Sequence, residues 1–278
     1  MTQLICYVNG NFLPLEDAAL SVRDLAILRG YGVFDFLRTY GGMPFKLPEH
    51  LARLARSAQL IELVLPYALD KIEQLALDTL KRNNLPEANV RIVVTGGVSG
   101  DSVTPDTEPS LIILVTPVQQ YPATCYEQGV KTITVETERY LPGAKTINYI
   151  PALIALRKAK AAGALEALYA NRQGQILEGT TTNFFVFQGN QLLTPKDGIL
   201  LGVTRAVVLE LAQEKFEIVE HPLTFDDLSQ ADEAFMTASN KEIMPVHQVD
   251  DLQIGQGKPG LNTRWLMERF WRLTRHKQ

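Results

Sequence analysis

Three segments of this sequence carry side chains whose types and order could do chemistry. Lys145–Tyr149 supplies an amine, Glu178–Phe185 supplies an acid ahead of a β-prone run, and Gly198–Arg205 supplies a turn that leads into an amphipathic helix. A lysine of lowered pKa can attack an aldehyde, and free N–H groups at a helix start bind phosphate. These are the parts needed to hold pyridoxal phosphate as a Schiff base, so the sequence predicts an enzyme.

Each of the three segments also has an ordinary structural interpretation. Lys145 precedes a helix that begins near Pro151, and alone it would be read as a solvated surface lysine. Glu178 could pair with a protonated pyridine nitrogen or face water from a turn. Thr204 could donate to a phosphate or simply cap its helix.

Two further segments predict groups for the same phosphate. His50 and Arg53 lie three residues apart on one helix face, and the Arg53 guanidinium could neutralise a phosphate that the glycine turn alone would leave charged. After a predicted strand, Ser239 and Asn240 offer hydroxyl and amide donors for this phosphate or for a turn without a ligand.

Composition limits the classes of partner. The chain has 278 residues, a formal charge of −4 and scattered basic residues, which argues against binding nucleic acid. The N-terminal sequence does not have the pattern of an export signal, no apolar run is long enough to span a bilayer, and two cysteines do not make a disulfide framework. We therefore expect a cytoplasmic protein without a metal site.

Hydrophobic patterning predicts a mixed chain with two layered domains. Two prolines separated by polar residues in Pro117–Thr124 predict an extended connector. The predicted organisation is a first domain at 1–117, a linker at 118–126 and a second domain at 127–278. The predicted strands are Leu4–Val8, Gly32–Tyr40, Val90–Thr95, Leu111–Thr116, Val130–Glu136, Ala167–Ala170, Phe184–Phe187 and Ala234–Thr237, and the predicted helices are Pro48–Ile61, Leu69–Asn83, Pro151–Ala162, Thr204–Lys215 and Leu261–Arg275.

With these residues in place, the chain resembles the class IV pyridoxal-phosphate aminotransferases. This group holds D-amino-acid, branched-chain and (R)-amine transaminases and aminodeoxychorismate lyase. The resemblance runs from Tyr7–Gly10 through Gly32–Asp35 to Pro245–Val246, nearly the whole chain. It implies an α+β fold of type IV, with a smaller N-terminal α/β domain, a larger C-terminal mixed-sheet pseudo-barrel domain and the cofactor between them.

The resemblance also implies roles for single residues. Lys145 corresponds to the Schiff-base lysine and proton shuttle, and Glu178 corresponds to the partner of the pyridine nitrogen. Tyr149 matches a position near the ring hydroxyl. The residues expected to bind the phosphate are Arg53, Val203, Thr204 and Ser239, with Asn240 beside them.

A homodimer is implied as well, in which a loop of one subunit closes the active site of the other. The matching segment here is Gly96–Pro105, which has three glycines and is predicted to be mobile.

Substrate choice is the least determined feature of the sequence. Lys-Thr-Ile-Asn and Glu-Gly-Thr-Thr-Thr-Asn are more similar to the D-amino-acid branch, whereas Gly-Val-Phe-Asp and Gly-Val-Thr-Arg are closer to the branched-chain pattern. Asp101 and Val103 stand near the places where D-amino-acid enzymes carry an Arg-x-His pair. The candidate carboxylate binders are Arg29, Arg38 and Arg91, each of which could equally form a structural ion pair.

The expected reaction moves an amino group between an amino acid, of branched-chain or D-amino-acid type, and a 2-oxo acid such as 2-oxoglutarate or pyruvate. Lys145 would take the α-proton and return it to the cofactor carbon. The alternatives are an aminodeoxychorismate lyase, an (R)-amine transaminase and a non-catalytic metabolite-binding protein. The presence of both Lys145 and Glu178 argues against a non-catalytic binding protein, because such a protein needs no electron sink.

Overall fold

The structure, a computed structural model, describes residues 3–275. The chain divides into two compact units. The first contains the chain up to Gln119 together with Gly143–Asn148, and the second contains Gln120–Pro142 and the chain from Tyr149 onward.

The first unit is built on an antiparallel sheet with the strand order β2-β1-β6-β5-β3-β4. Strands β3 and β5 pair over seven residues from Gly32↔Thr95 to Arg38↔Asn89. The strands are β1 Ile5–Val8, β2 Asn11–Pro14, β3 Gly32–Tyr40, β4 Met43–Pro44, β5 Ala88–Thr95 and β6 Ser110–Pro117.

Helices α2 and α3 cover one face of this sheet. Their apolar residues recur at helical spacing, as in Leu47, Leu51 and Leu54, and this stripe is buried against the strands. Lys46 takes a left-handed conformation just before α2, and Pro48 supports the first turn. The helices are α1 Leu25–Arg29, α2 Leu47–Leu60 and α3 Leu69–Asn83, and a 3₁₀ turn covers Leu15–Asp17.

The second unit contains a mixed sheet with the order β12-β11-β10-β13-β14-β7-β8-β9, and β15 pairs with β14. The pairs β11–β12, β14–β7 and β7–β8 are parallel and the others antiparallel. Edge strand β9 also contacts β10, so the sheet curls into a half-barrel. The strands are β7 Val130–Glu136, β8 Glu166–Ala170, β9 Ile176–Gly179, β10 Asn183–Gln188, β11 Gln191–Thr194, β12 Glu217–Glu220, β13 Glu233–Ala238, β14 Glu242–Val249 and β15 Leu252–Gln253.

Helices α6 and α8 pack beside strand β13 in this unit. On one side of the strand pair β10–β13, Phe185 and Phe235 stack with ring centroids 4.8 Å apart, and Phe187 meets Phe216 beyond α6. The helices are α4 Ala123–Glu127, α5 Ile150–Ala161, α6 Val203–Ala212, α7 Phe225–Ser229 and α8 Leu261–Arg275. Within residues 3–275 no helix is long and apolar enough to cross a membrane.

The structure confirms most predicted elements, and β3, α3, β7 and α8 occupy the predicted residues. Elements absent from the prediction are β2, β4, β9, β11, β12, β14, β15, α1, α4 and α7. Most of them are four or five residues long or shorter, too short for a periodic pattern to register.

The units depart from the predicted boundaries in two respects. Helix α4 occupies part of the predicted linker, because Tyr121, Cys125 and Tyr126 pack against the core of the second unit. Residues 143–148, predicted to lie in the second domain, group with the first unit. They do so because Phe34 N–H donates to Lys145 O at 2.9 Å and Ile147 N–H donates to Gly32 O at 3.1 Å.

The segment Gly96–Pro105 is more firmly held than its composition predicts. Leu25 N–H donates to Gly97 O at 2.9 Å, and Ser99, which is buried, donates its N–H to Arg23 O. Asp101 accepts from the backbone N–H groups of Val103 and Thr104. The Thr104 hydroxyl also donates to Asp101 and, together with these backbone donors, holds the pKa of the Asp101 carboxyl below its usual range.

Candidate active site

The backbone of Lys145 is fixed on both sides within the first unit. Its N–H donates to the Ser57 hydroxyl at 3.0 Å, and its carbonyl accepts from Phe34 N–H. The Lys145 ammonium nitrogen lies 4.7 Å from the centroid of the Phe34 ring. The lysine therefore lies directly before Thr146, which forms an isolated β-bridge with Val33 of β3, and is not part of a solvated surface turn.

Arg53 lies in a buried ion pair that joins α2 to β3. Its Nε and one terminal nitrogen each donate to a different oxygen of Asp35, both at 2.9 Å. His50 Nδ1 lies 2.6 Å from Asp35 Oδ1. Ser57, one helical turn after Arg53, donates to the Arg53 carbonyl at 2.8 Å and so connects this cluster with the Lys145 backbone.

Burial and charge act in opposite directions on the two titratable groups of this cluster. Burial alone would raise the pKa of Asp35, but the Arg53 guanidinium and the His50 hydrogen bond outweigh it and hold that pKa well below its ordinary value. Burial lowers the pKa of His50, and the charges of Arg53 and Lys145 add to this effect, against the opposing effect of Asp35. His50 is thus a neutral imidazole at pH 7.

The three arginines considered as carboxylate binders lie in different surroundings. The Arg91 guanidinium lies 4.8 Å from the Phe34 ring centroid and 5.2 Å from that of Phe36, so it shares the Phe34 ring with Lys145. Arg38 is buried and pairs with Glu87 at 3.3 Å. Arg29 is exposed and donates to the carbonyl of Leu28.

Glu178 is a buried acid at the end of β9 in the second unit. Its Oε1 accepts from Arg139 at 3.0 Å, and its Oε2 accepts from the backbone N–H of Leu200 at 3.0 Å. Asn183 bridges the same region, donating to Leu200 O at 2.7 Å and approaching Glu178 Oε2 at 3.5 Å. These donors favour the ionised carboxylate. The sequence does not single out Arg139, which is 39 residues away from Glu178.

At the start of α6 the backbone passes close to Asn183 of β10. Gly202 is its N-cap and makes no side-chain cap hydrogen bond. A Cβ at Gly202 would lie 2.1 Å from Asn183 Oδ1, so a larger residue here would force the Asn183 side chain, which donates to Leu200 O, to move. Val203 and Thr204 follow, both buried. The first N–H groups of such a helix can bind an anion by donating hydrogen bonds to it.

Ser239, Asn240 and Tyr149 lie in the same unit. Ser239 and Asn240 form the turn between β13 and β14 and are half-buried. Tyr149 is the N-cap of α5. Its phenol is one of several groups that add to the effect of burial in raising the pKa of the buried Tyr169.

A second buried polar cluster holds the threonine run after Glu178. Glu166 on β8 is fully buried, accepts from the hydroxyls of Thr180 and Thr181, and pairs with Lys241 Nζ at 3.5 Å. Lys241 also donates to Thr181 at 2.7 Å. Thr180 and Thr181 are therefore internal partners of an ion pair. In the sequence they could equally be read as ordinary strand surface.

Comparison with known proteins assigns the family. The family profile for amino-transferase class IV matches residues 32–249. The chain belongs to the class IV aminotransferases. Class IV aminotransferases depend on pyridoxal phosphate, and the enzyme is accordingly a pyridoxal-phosphate-dependent aminotransferase, as the resemblance implied.

Sequence relatives of this aminotransferase carry two different names. A Methanocaldococcus jannaschii protein provisionally named as a branched-chain-amino-acid aminotransferase is 37% identical over 274 residues, covering 95% of this chain and 94% of its own. A D-alanine aminotransferase of Listeria monocytogenes is 32% identical over 271 residues, covering 95% and 93%.

Solved structures give the same fold. The branched-chain amino acid aminotransferase of Escherichia coli superposes with a TM-score of 0.93 at 29% identity, covering 100% of this chain and 96% of its own. The branched-chain aminotransferase of the thermophilic archaeon Thermoproteus uzoniensis, solved with norvaline, gives 0.90 at 27% identity, covering 99% and 96%. The type IV fold predicted from the sequence is therefore confirmed.

Proposed function

We propose that this class IV aminotransferase moves an amino group between amino acids with branched apolar side chains and a 2-oxo acid such as 2-oxoglutarate. The observation that carries the proposal is the group around Phe34. The Lys145 amine and the Arg91 guanidinium approach the same ring, and Phe36 lies beside Arg91. An aromatic surface suits an apolar side chain, and an arginine next to it suits the substrate carboxylate.

The residues fit pyridoxal phosphate in their chemistry. The first unit offers the Lys145 amine and the Arg53 guanidinium. The second unit offers the buried acid Glu178 and the start of α6, whose N-cap Gly202 makes no side-chain cap hydrogen bond. We propose that Lys145 holds the cofactor aldehyde, Glu178 holds the pyridine nitrogen, and Tyr149 lies near the ring hydroxyl. The proposed phosphate ligands are Arg53, Val203, Thr204, Ser239 and Asn240.

Each residue has a distinct part in the proposed chemistry. When bound, pyridoxal phosphate supplies an electron sink for the bond broken at the substrate α-carbon. With the cofactor bound, the Lys145 amine would act as the base that takes the substrate α-proton and as the acid that returns it. Glu178, kept ionised by Arg139 and the Leu200 N–H, keeps a proton on the ring nitrogen. Arg91 orients the substrate through its carboxylate, with Arg29 and Arg38 as further candidates.

A second candidate substrate class is D-alanine and related D-amino acids. It is favoured by the Listeria monocytogenes relative at 32% identity. The segment Gly96–Pro105 counts against it, because Asp101 is engaged with Val103 and Thr104 and is not a cation that could bind a carboxylate.

We further propose that the enzyme is a cytoplasmic homodimer. Both cysteines, Cys6 and Cys125, are free thiols, in keeping with a reducing compartment. In the proposed dimer, Gly96–Pro105 of one subunit completes the active site of the other.

A panel of D- and L-amino acids, scored by spectral conversion of the bound cofactor in a single turnover, tests the substrate proposal. Leucine, isoleucine and valine of one enantiomeric series, D or L, should convert the cofactor fastest. Faster conversion by D-alanine would transfer the assignment to the second candidate. Conversion by primary amines that lack a carboxylate would support an (R)-amine transaminase, and pyruvate release from aminodeoxychorismate without cofactor conversion would support the lyase.

A further inference from the structure

The hydroxyl of Thr237 is a buried polar group without a hydrogen-bond partner among residues 3–275. The residue is 2% exposed and lies near the end of β13. Strand β13 is flanked by β10 and β14, so the backbone around Thr237 is engaged in the ladders. Buried side-chain hydroxyls in proteins are nearly always hydrogen-bonded, and each exception calls for an explanation such as a ligand.

Strand register places this hydroxyl on the side of the sheet where α6 begins. Thr237 is directly opposite Asn183 across the antiparallel pair, and directly opposed residues project to the same face. Asn183 donates to Leu200 O, and its Oδ1 lies where a Cβ of Gly202 would be. Phe185 and Phe235, two positions further along the same strands, stack on this face.

The neighbouring Thr182 hydroxyl is also unpartnered among the described residues but belongs to another location. Thr182 lies in the bend before β10 and is not a residue of that strand. Its Oγ1 lies where a Cβ of Gly179 would be, inside the turn that follows Glu178. The orphaned hydroxyl on the α6 side of these two strands is that of Thr237.

We propose that the Thr237 hydroxyl donates to an anionic oxygen of the cofactor phosphate at the start of α6. Two independent features support this: the N-terminus of a ten-residue helix whose N-cap makes no side-chain cap hydrogen bond, and a buried hydroxyl beside Asn183, the residue that Gly202 touches. Thr237 precedes Ser239 by two residues and extends the predicted set of phosphate ligands by one. The inference rests on the proposed function, since it assumes that the anion is the cofactor phosphate.

Thr237→Val and Thr237→Ser test the hydroxyl with little change of shape. Valine keeps the branched β-carbon that suits a strand but removes the donor, and serine keeps the donor. Thr263→Val is the matched control, because Thr263, at the start of α8, is also fully buried and its hydroxyl has no partner within the described part of the chain. Should Thr237→Val fail to fold, Thr237→Ala replaces it.

Calorimetric titration of each apoprotein with pyridoxal phosphate and with pyridoxal gives the decisive comparison. Loss of a hydrogen bond to a charged group should raise the Kd of Thr237→Val for pyridoxal phosphate by about tenfold or more. Its Kd for pyridoxal, which lacks the phosphate, should stay unchanged. Thr237→Ser and Thr263→Val should keep wild-type affinity for both.

Thermal unfolding adds a second measurement, because the change in Tm should differ in sign between the apoprotein and the cofactor-loaded form. Removing an unsatisfied hydroxyl should leave the Tm of the Thr237→Val apoprotein equal to or above that of wild type, while the Tm of its cofactor-loaded form falls below that of wild type. Equal pyridoxal phosphate affinity in wild type and Thr237→Val, or equal weakening for pyridoxal, would overturn the inference alone. A wild-type apoprotein that does not bind pyridoxal phosphate would overturn the proposed function together with it.

Discussion

Arg53, the proposed phosphate ligand on α2, is held in place by a buried carboxylate. Two of its nitrogens are occupied by Asp35, which is fully buried. A guanidinium has five N–H donors in a rigid fork, so two bonds to Asp35 fix its plane. Asp35 thereby fixes the guanidinium that we propose binds the cofactor phosphate, and Ser57 extends the same network to Lys145.

Arg53→Ala should weaken cofactor retention strongly, whereas Arg56→Ala should not. Arg56 lies on the same helix but is exposed. Removing Arg53 also leaves a buried carboxylate without its partner, which should lower the free energy of unfolding by about 3–5 kcal/mol, against about 0.5 kcal/mol or less for Arg56. Equilibrium dialysis of pyridoxal phosphate and urea denaturation measure the two effects. Equal cofactor affinity in the two variants would contradict the phosphate role of Arg53.

His50 should make stability depend on pH below neutrality. In the unfolded chain it titrates near 6.5, and in the folded protein burial lowers its pKa. Between these two pKa values the unfolded chain binds a proton that the folded protein does not, so the free energy of unfolding falls as the pH drops below about 6.5, by at most about 1.4 kcal/mol per pH unit. Folding lowers the pKa of Asp35 below its ordinary value of 3.8. Its contribution to the free energy of unfolding is therefore fully present above pH 3.8 and is lost only in stronger acid.

The His50→Gln variant should lack this decline between pH 6.5 and 5. Urea denaturation at several pH values gives the slope, with His247→Gln on β14 as the control. A His50→Gln variant that loses stability with the same slope as wild type would show that another group titrates in this window.

Among the elements of the second unit, a buried ion pair between Glu166 and Lys241 holds the turn between β9 and β10. Glu166 on β8 joins Lys241, which precedes β14, and both contact the turn between β9 and β10 through Thr181. This turn follows Glu178 directly, so the pair fixes the backbone that carries the proposed partner of the ring nitrogen.

Lys241→Met should destabilise the enzyme more than the double variant Glu166→Gln with Lys241→Met. The single change leaves the Glu166 charge buried without its cation and should cost about 3–5 kcal/mol. The double change removes both charges, so part of that loss should return as a coupling energy. Chemical denaturation of the four proteins of this cycle measures the coupling. Strict additivity would mean that the two side chains do not stabilise each other.

The same elements show what the sequence could and could not predict. Helices α2 and α3 were predicted because their apolar residues recur at helical spacing over several turns. Strand β14 was missed because Pro245, which cannot donate to a ladder, argues against a central strand, yet β14 lies between β13 and β7. The Asp35–Arg53 pair was missed because it joins residues 18 apart on different elements, a relation no local pattern encodes.

At the scale of the whole molecule, the proposed homodimer predicts that lesions in different subunits can complement each other. The Gly96–Pro105 segment is anchored at its start by Leu25 and Arg23, so a disabling change is best confined to 102–105. Hybrids of such a subunit with a Lys145→Ala subunit should regain up to about half the activity per dimer, because by two-fold symmetry both lesions can fall on one site.

Activity of mixed and unmixed samples, together with sedimentation, measures this complementation. Either parent homodimer, carrying its lesion in both sites, serves as the inactive reference. A fully active monomer would show that each chain builds its own site, and the exchange of loops would have to be abandoned.

Borohydride reduction of the purified holoenzyme, followed by peptide mapping, tests most directly whether Lys145 holds the cofactor. We expect one pyridoxyl-labelled peptide that contains Lys145, and loss of that label in Lys145→Ala with the fold retained. Lys241, the buried lysine of the second unit, should stay unlabelled because it is engaged with Glu166 and Thr181. A label on Lys241 or on any other lysine would contradict the assignment of Lys145 as the cofactor lysine.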